Sequence, residues 1–251
     1  MRIENSFIPV EGVGETTERR LWEAGVRTWE EFDGRVVGER KAERIHRFVD
    51  TARERLADGD ARYFRETLPS GCHWRCYDNF RADTCFLDIE TTGLDQRRHD
   101  VTVVSCHRAG ETTTLVADRD LTADRLQREL DDAKLLVTFN GKRFDVPFLE
   151  SAFDVSVEAP HVDLMYPCRR LDLTGGLKTI EREVGIDRDR PDLSGEDAVR
   201  LWREYQRGDE SALETLVSYN RDDTANLRTL MELVANRLEP DPLATTTTHE
   251  E

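Results

Sequence analysis

The order of apolar and polar positions divides the chain into a helical beginning and a longer region where strands and helices alternate. Short continuous apolar runs are typical of buried strands, whereas apolar residues recurring every three or four positions predict amphipathic helices. Apolar runs predict strands over 84–90, 101–108, 111–117 and 135–139, and a short one near His161. Helical spacing predicts helices over 122–131, 147–153, 163–171, 177–184, 196–207 and 209–237. Three antiparallel strands followed by alternating helix and strand predict an α/β fold.

The first 60 residues contain two copies of a glycine turn followed by a helical run. The copies are Gly12-Val13-Gly14 before a run over 16–24, and Val37-Gly38-Glu39 before a run over 41–57. Between them, Thr28 and Glu31 have the spacing of a capping box, which predicts that another helix begins there.

This repeat resembles the tandem helix-hairpin-helix domain, a small all-α module. The resemblance implies that backbone amides at Gly12 and Gly14 bind a DNA phosphate without contacting the bases. The second copy has Val36 where the first glycine of the hairpin would stand. A bundle that binds protein instead of DNA is the alternative interpretation.

The charge is distributed unevenly, which favours two modules. Residues 1–80 have a net charge of −2, whereas the remainder has a net charge of −14. The expected organisation is a hairpin module over 1–60, a linker over 61–83, an α/β domain over 84–238 and a disordered tail over 239–251.

Acidic residues stand in three short motifs of the α/β region. In the first, Asp88 and Glu90 end an apolar strand and point to the same face, because side chains alternate along a strand. A surface strand with solvated charges is the alternative, but the flanking run is too apolar for one. The second motif, over 139–149, contains Asp145. In the third, Tyr219 and Asp223 are four residues apart in a helix and share one face.

Asp88, Glu90, Asp145 and Asp223 are therefore candidates for one carboxylate cluster. Hard divalent cations prefer oxygen ligands, and a pair of such cations can stabilise both the attacking and the leaving oxygen of a phosphoryl displacement. Asp222 points about 100° away from Asp223 around a helix and is expected to be solvated.

The three motifs resemble the exonuclease motifs of the DEDD superfamily, whose members share a ribonuclease-H-like fold. The pattern Asn140-x-x-x-Phe144-Asp145 is similar to the proofreading domain of family B DNA polymerases, and Tyr219-x-x-x-Asp223 is typical of the tyrosine type. A histidine type would need His at position 218, which is Ser218. Residues 161–226 also resemble the YprB-like predicted exonucleases. The resemblance implies a metal-dependent 3′–5′ exonuclease.

The resemblance also implies roles for individual residues. Asp88 would bridge two divalent cations, Mg²⁺ or Mn²⁺, with Glu90 and Asp223 completing the shell of one cation. Asp145 would hold the second cation, largely through water, and Tyr219 would orient the attacking water. The implied substrate contacts are Thr91, Leu94, Asn140 and Phe144. Leu94 and Phe144 could equally belong to the core. Asp163 is a weaker candidate ligand, since an acid there could also cap the helix that follows.

The expected partner is DNA, as single strands or duplex ends, with RNA as an alternative substrate. A structure-selective nuclease of the same fold and a non-catalytic DNA-binding protein are the alternative functions. The net charge of −16 and the pI near 4.9 are unusual for such a protein. Only four lysines occur among 36 basic residues, which resembles the surface of halophilic archaeal proteins. An ordinary acidic mesophilic enzyme is the alternative.

Other compositional features predict a cytoplasmic protein without a membrane partner. There is neither a signal peptide pattern nor an apolar run of about 20 residues. The five cysteines do not form two pairs at the spacing of a structural metal site, so buried free thiols are expected.

Overall fold

The computed structural model describes residues 1–188 and 192–239, which form a five-stranded mixed sheet covered by helices. The strands are β1 (Thr84–Thr91), β2 (Val101–Arg108), β3 (Glu111–Val116), β4 (Leu135–Thr138) and β5 (His161–Asp163). The helices before the sheet are α1 (Glu15–Glu23), α2 (Glu39–Ala57), α3 (Ala61–Thr67) and α4 (Tyr77–Phe80). The later helices are α5 (Ala123–Asp131), α6 (Asp145–Phe153), α7 (Met165–Arg170), α8 (Leu177–Val184), α9 (Gly195–Gln206) and α10 (Glu210–Leu238). Short 3₁₀ turns lie at Ile3–Asn5, Trp29–Glu31, Ser70–Cys76 and Arg81–Asp83.

The strand order is β3-β2-β1-β4-β5, so the first strand of the sheet lies in its middle. β1 pairs antiparallel with β2 and parallel with β4. β2 pairs antiparallel with β3, and β4 pairs parallel with β5. The predicted α/β fold is confirmed, with three antiparallel strands preceding the alternation of helix and strand.

The two faces of β1 pack into different cores. Cys85, Leu87 and Ile89 lie in a cluster of buried residues with side chains of α5 and α6. Phe86 lies in another cluster with Leu227 and further residues of α10. Because Asp88 follows Phe86 by two residues, the acidic face of β1 is the face that α10 covers.

The N-terminal helices share the core beneath α10 rather than forming one of their own. That core contains Ile3, Leu21 and Ile45 from the beginning of the chain together with Val137 of β4 and Leu230 of α10. Residues 61–83 were expected to be a linker, but they form α3, α4 and 3₁₀ turns and include many buried side chains. The segment predicted as a linker thus contributes aromatic residues to the shared core.

A buried ion pair joins the N-terminal helices to the segment that precedes β1. Arg75 Nη1 donates hydrogen bonds to both oxygens of Glu18, at 2.9 and 2.8 Å. Glu18 also accepts from Ser6 Oγ at 3.0 Å and from the Phe7 amide at 2.8 Å. Both charged side chains are at most 5 % exposed, so this network fixes α1 against the rest of the molecule.

Most elements of the α/β region begin and end within two residues of their predicted bounds. The capping box of Thr28 and Glu31 is present, but the chain beyond it makes only a 3₁₀ turn before Phe32 becomes extended. The predicted disordered tail lies outside the described residues except for Glu239. All five cysteines are buried and free, as expected. Among the described helices, none combines the length and apolar character needed to cross a membrane.

Candidate active site

Three carboxylates meet where β1 faces α10. Asp88 and Glu90 of β1 and Asp223 of α10 each offer an oxygen, and these oxygens lie within 4.8 Å of one another. Asp145, the first residue of α6, is not part of this closest group, although its charge acts on Glu90. The structure therefore brings together three of the four predicted carboxylates and places the fourth nearby.

Asp88 is held in position from α10. Its Oδ2 accepts a 2.7 Å hydrogen bond from Nδ2 of Asn220, which is fully buried. The register of β1 with β2 shifts between Glu90 and Thr91, so the strand becomes irregular directly after the second acid. Such irregularities redirect side chains at the end of a strand.

Asp145 is positioned by a tight loop after β4. Asn140 adopts a left-handed conformation with φ of 65°, which asparagine tolerates better than most residues. A Cβ at Gly141 would lie 2.3 Å from Thr138 Oγ1, so the loop requires glycine there. Asp163 accepts hydrogen bonds from the amides of Asn140 at 2.7 Å and Lys142 at 3.2 Å.

Asp163 therefore supports the loop of the second motif. It also accepts a 3.2 Å bond from the Met165 amide at the beginning of α7, in agreement with the capping alternative. It lies outside the closest carboxylate group.

The crowded carboxylates perturb one another. Burial raises the pKa of Asp88 to about 7, opposed by the Asn220 hydrogen bond and the positive charge of Arg188. Burial, followed by the charges of Asp88 and Asp145, raises the pKa of Glu90 well above its usual value. The pKa of Asp145 is raised chiefly by burial and then by Asp88. A bound cation would relieve this accumulation of negative charge.

Tyr219 and Asp223 lie on one face of α10, and both are buried. Burial, together with the charges of Glu90 and Asp88, raises the pKa of the Tyr219 phenol. Its ring lies 4.8 Å from Lys178 Nζ, measured to the ring centre. The phenol therefore stays protonated at neutral pH and can donate a hydrogen bond at the cluster.

Two buried charges beside the cluster were not predicted as site residues. Arg188, which follows α8, contacts the carboxylate of Asp223 and that of Glu181, a buried residue of α8. No local pattern indicates Arg188, since a single arginine after a helix is common in this arginine-rich chain. The composition gives a weak indication of Lys178 as a site residue, because it is one of only four lysines.

The predicted substrate contacts have different environments. Leu94 is 85 % exposed and is not a core residue. Phe144 is half-buried against the core under α6, with its ring 4.9 Å from that of Phe148. Thr91 is buried and donates to the Gly93 carbonyl at 2.7 Å, whereas Asn140 is half-buried in its loop. Asp222, expected to be solvated, is half-buried.

The two predicted phosphate contacts of the N-terminal module lie at the beginning of α1. Gly12 has φ of 83° in a turn closed by the Val13 amide and the Val10 carbonyl at 2.9 Å. Gly14 is the N-cap of α1 and provides no capping side chain. Glu15 follows in the first turn, and its negative charge opposes an anion at this helix end.

The chemistry of the carboxylate group suits a hard divalent cation. Its donors are all carboxylate oxygens, which Mg²⁺ and Mn²⁺ prefer over nitrogen and sulfur ligands. Asp88, Glu90 and Asp223 could hold one cation directly, and the charge of Asp145 acts on the same group.

Comparison with known proteins gives a family match over the same region. The RNase_H_2 family model of the RNase_H superfamily matches residues 85–235. No curated protein matches the sequence significantly.

Similar solved structures include one described as the apo form of a nuclease, at 22 % identity over 63 % of this chain and 74 % of that chain, with a TM-score of 0.46. A family B DNA polymerase of the hyperthermophilic archaeon Pyrobaculum calidifontis is 20 % identical over 62 % of this chain and 24 % of its own, with a TM-score of 0.48. NrnC of Brucella melitensis is 18 % identical over 64 % of this chain and 77 % of its own, with a TM-score of 0.41.

Proposed function

The chain belongs to the RNase H superfamily, and we propose that it is a metal-dependent 3′–5′ exonuclease that hydrolyses phosphodiester bonds of DNA. The observation that carries the proposal is the group formed by Asp88, Glu90 and Asp223 at the junction of β1 and α10. Tyr219 beside this group favours the tyrosine type of exonuclease.

In this proposal the carboxylates hold two divalent cations, which would lower the pKa of the attacking water and stabilise the charge on the leaving oxygen. Asp88, whose carboxylate is oriented by the hydrogen bond from Asn220, would be one of the residues that hold these cations. Glu90 and Asp223 would hold a cation together with Asp88, and Asp145 would hold a cation from the beginning of α6.

Tyr219 orients the attacking water in the proposed reaction. Its raised pKa makes the phenol a poor base, so its contribution is a hydrogen bond that aligns the water with phosphorus. The water oxygen would bond to phosphorus, and the bond from phosphorus to the 3′ oxygen of the preceding nucleotide would break. The terminal nucleotide would leave as a 5′-monophosphate, and the 3′ oxygen would take up a proton. Leu94 is exposed beyond the end of β1, where it can contact the terminal base, and Asn140 and Phe144 are proposed to line the strand's path.

The preference for DNA rests on the N-terminal hairpins, which we propose to contact duplex phosphates through amides near Gly12 and Gly14. The buried pair of Arg75 and Glu18 joins α1, which follows these turns, to the segment that precedes β1. The acidic surface disfavours DNA at low salt, and this repulsion weakens in molar salt, where the Debye length is about 3 Å.

The test is digestion of end-labelled oligonucleotides with Mg²⁺ or Mn²⁺ in molar KCl. Single-stranded DNA, duplex DNA and RNA of one sequence, labelled at either end, separate substrate class and polarity. We expect stepwise shortening of DNA from the 3′ end, lost in EDTA and in Asp88→Ala. Cleavage by Asp88→Ala near the wild-type rate would overturn the proposed site, and faster digestion of RNA would overturn the substrate class.

A further inference from the structure

Arg188 brings a positive charge into the carboxylate site. Its guanidinium contacts Asp223, and its side chain is only 7 % exposed. The guanidinium carbon lies 5.8 Å from the centre of the Tyr219 ring. Its charge also reaches Asp88 and Glu90, since it opposes the rise in the pKa of both. Arg188 is therefore a neighbour of three proposed metal ligands and of Tyr219.

The backbone directs Arg188 toward this position. α8 ends at Gly185, whose φ of 78° reverses the chain, and the Ile186 amide donates to the Glu181 carbonyl at 2.8 Å. Asn226 of α10 then donates to the Asp187 carbonyl at 3.2 Å. The residue before Arg188 is thus bonded to the same helix that supplies Asp223.

Glu181 anchors the guanidinium from the opposite side. This carboxylate is fully buried on α8, and it contacts Arg188 Nη1 through Oε2. Its other oxygen has no hydrogen-bond partner among the described residues. A buried carboxylate is costly unless an opposite charge accompanies it. Arg188 is thus paired with Glu181 on one side and contacts Asp223, a proposed metal ligand, on the other.

A divalent cation and Arg188 would compete for the carboxylate of Asp223. Once a cation holds Asp223, the guanidinium keeps its contact with Glu181 through Nη1, but Nη2 loses its carboxylate partner and can bind another anion. A phosphodiester is the matching ligand, because the planar guanidinium binds two phosphate oxygens in parallel.

We propose that Arg188 is an exchangeable counter-cation of the carboxylate site. It pairs with Asp223 until a divalent cation takes that carboxylate, and it then binds the phosphate of the substrate while Glu181 keeps it in place. The phosphate contact rests on the proposed function, whereas the competition with the cation can be measured without a substrate.

The experiment compares Mn²⁺ affinity with cleavage of a short single-stranded DNA. Mn²⁺ binding to the full chain is measured by the electron paramagnetic resonance signal of free Mn²⁺, and single-turnover cleavage is measured separately. Arg188→Met removes the charge, Arg188→Lys keeps it, and Arg182→Met on the exposed side of α8 is the matched control.

We expect Arg188→Met to bind Mn²⁺ about 10-fold more tightly, within the range typical of coupled sites. Cleavage should fall about 100-fold, as for the loss of one charge-stabilising contact. Arg188→Lys should bind Mn²⁺ like the wild type, and Arg182→Met should change neither quantity. Opposite changes in metal affinity and rate are not expected from a purely structural ion pair.

If Arg188→Met does not fold, Glu181→Gln/Arg188→Met avoids leaving an unpaired buried carboxylate. It should bind Mn²⁺ more tightly than Glu181→Gln alone. Unchanged or weaker Mn²⁺ binding on loss of Arg188 would overturn the proposed competition, and an unchanged cleavage rate would overturn the phosphate contact. A wild-type protein that binds Mn²⁺ but cuts no nucleic acid would overturn the proposed function, while the Mn²⁺ comparison would still decide the competition.

Discussion

Asn220 of α10 donates a 2.7 Å hydrogen bond to Asp88 at the acidic end of β1. The side chain of Asn220 is fully buried, and its amide oxygen has no hydrogen-bond partner among the described residues. The polar contact that this side chain makes is therefore the bond to Asp88. It couples the first and third sequence motifs directly, because Asn220 lies beside Tyr219 in the third.

Asn220→Ala should lower cleavage about 10- to 100-fold, the usual effect of losing a residue that orients a metal ligand. Without the bond, Asp88 can leave the rotamer in which it faces Asp223. The matched control is Asn236→Ala, an exposed position on the same helix, which should keep wild-type activity. Single-turnover rates at saturating Mg²⁺ measure the effect, and an Asn220→Ala enzyme with the wild-type rate would contradict it.

Stability without divalent cations should decrease as pH rises from about 4 to about 7. The folded-state pKa of Asp88 is raised from 3.8 to about 7, so the unfolded chain loses this proton at lower pH than the folded chain does. The raised pKa of Glu90, caused first by burial, acts in the same direction.

Asp88→Asn should flatten this dependence and raise the free energy of unfolding at pH 8 in EDTA by roughly 1–3 kcal/mol. Urea unfolding at several pH values measures it. Greater stability of the wild type at pH 8 than at pH 5 in EDTA would show that the carboxylates are not destabilising one another.

Asp223→Asn should abolish cleavage and weaken Mn²⁺ binding, because Asp223 supplies one of the three closest carboxylate oxygens. The neighbouring Asp222→Asn is the matched control, since Asp222 lies outside that group. It should cleave at close to the wild-type rate. An inactive Asp222→Asn beside an active Asp223→Asn would show that the other acid is the ligand.

Tyr219→Phe should lower the rate about 10- to 1000-fold, the loss expected for one positioning contact worth about 1.4–4 kcal/mol. Mn²⁺ affinity should stay unchanged, because no carboxylate has been removed. The rate of the wild type should show no loss attributable to phenol ionisation up to pH 9, since burial raises the pKa of Tyr219. Tyr63→Phe on α3 controls for removal of a hydroxyl elsewhere, and a loss of Mn²⁺ binding in Tyr219→Phe would contradict the positioning role.

Local patterns predicted the helices and strands of the sheet domain because strands and helices differ in the spacing of their apolar residues. The face of β1 that carries Asp88 and Glu90 follows directly from alternation along a strand. Arg188 could not be found in this way, because its position depends on a reversal at Gly185 and on a bond between Asn226 and the backbone of Asp187.

The burial of side chains in the segment over 61–83 was not predicted, for a related reason. Leu68, Pro69, Ser70 and Gly71 suggest a break in secondary structure, but a local break does not prevent burial. Leu68 is 3 % exposed, and Trp74 and Tyr77 nearby are also buried in the core beneath α10. Burial of this kind arises from contacts between residues far apart in sequence, which a local pattern does not contain.

The shared core predicts that the N-terminal helices and the sheet unfold together. Arg75→Met would leave Glu18 buried without its counter-charge, and we expect a loss of about 3–5 kcal/mol in the free energy of unfolding. Glu18→Gln/Arg75→Met removes both charges and keeps an oxygen for the Ser6 and Phe7 donors, so it should recover most of that loss. High salt should change the difference little, because buried pairs are weakly screened. Urea unfolding followed by both tryptophan fluorescence and far-ultraviolet circular dichroism should give one transition in each variant.

Deletion of residues 1–60 should unfold the remainder, since it removes Ile3, Leu21 and Ile45 from the core that β4 and α10 share. A folded truncated protein, or separate transitions for the two probes, would show that the N-terminal helices are an independent unit.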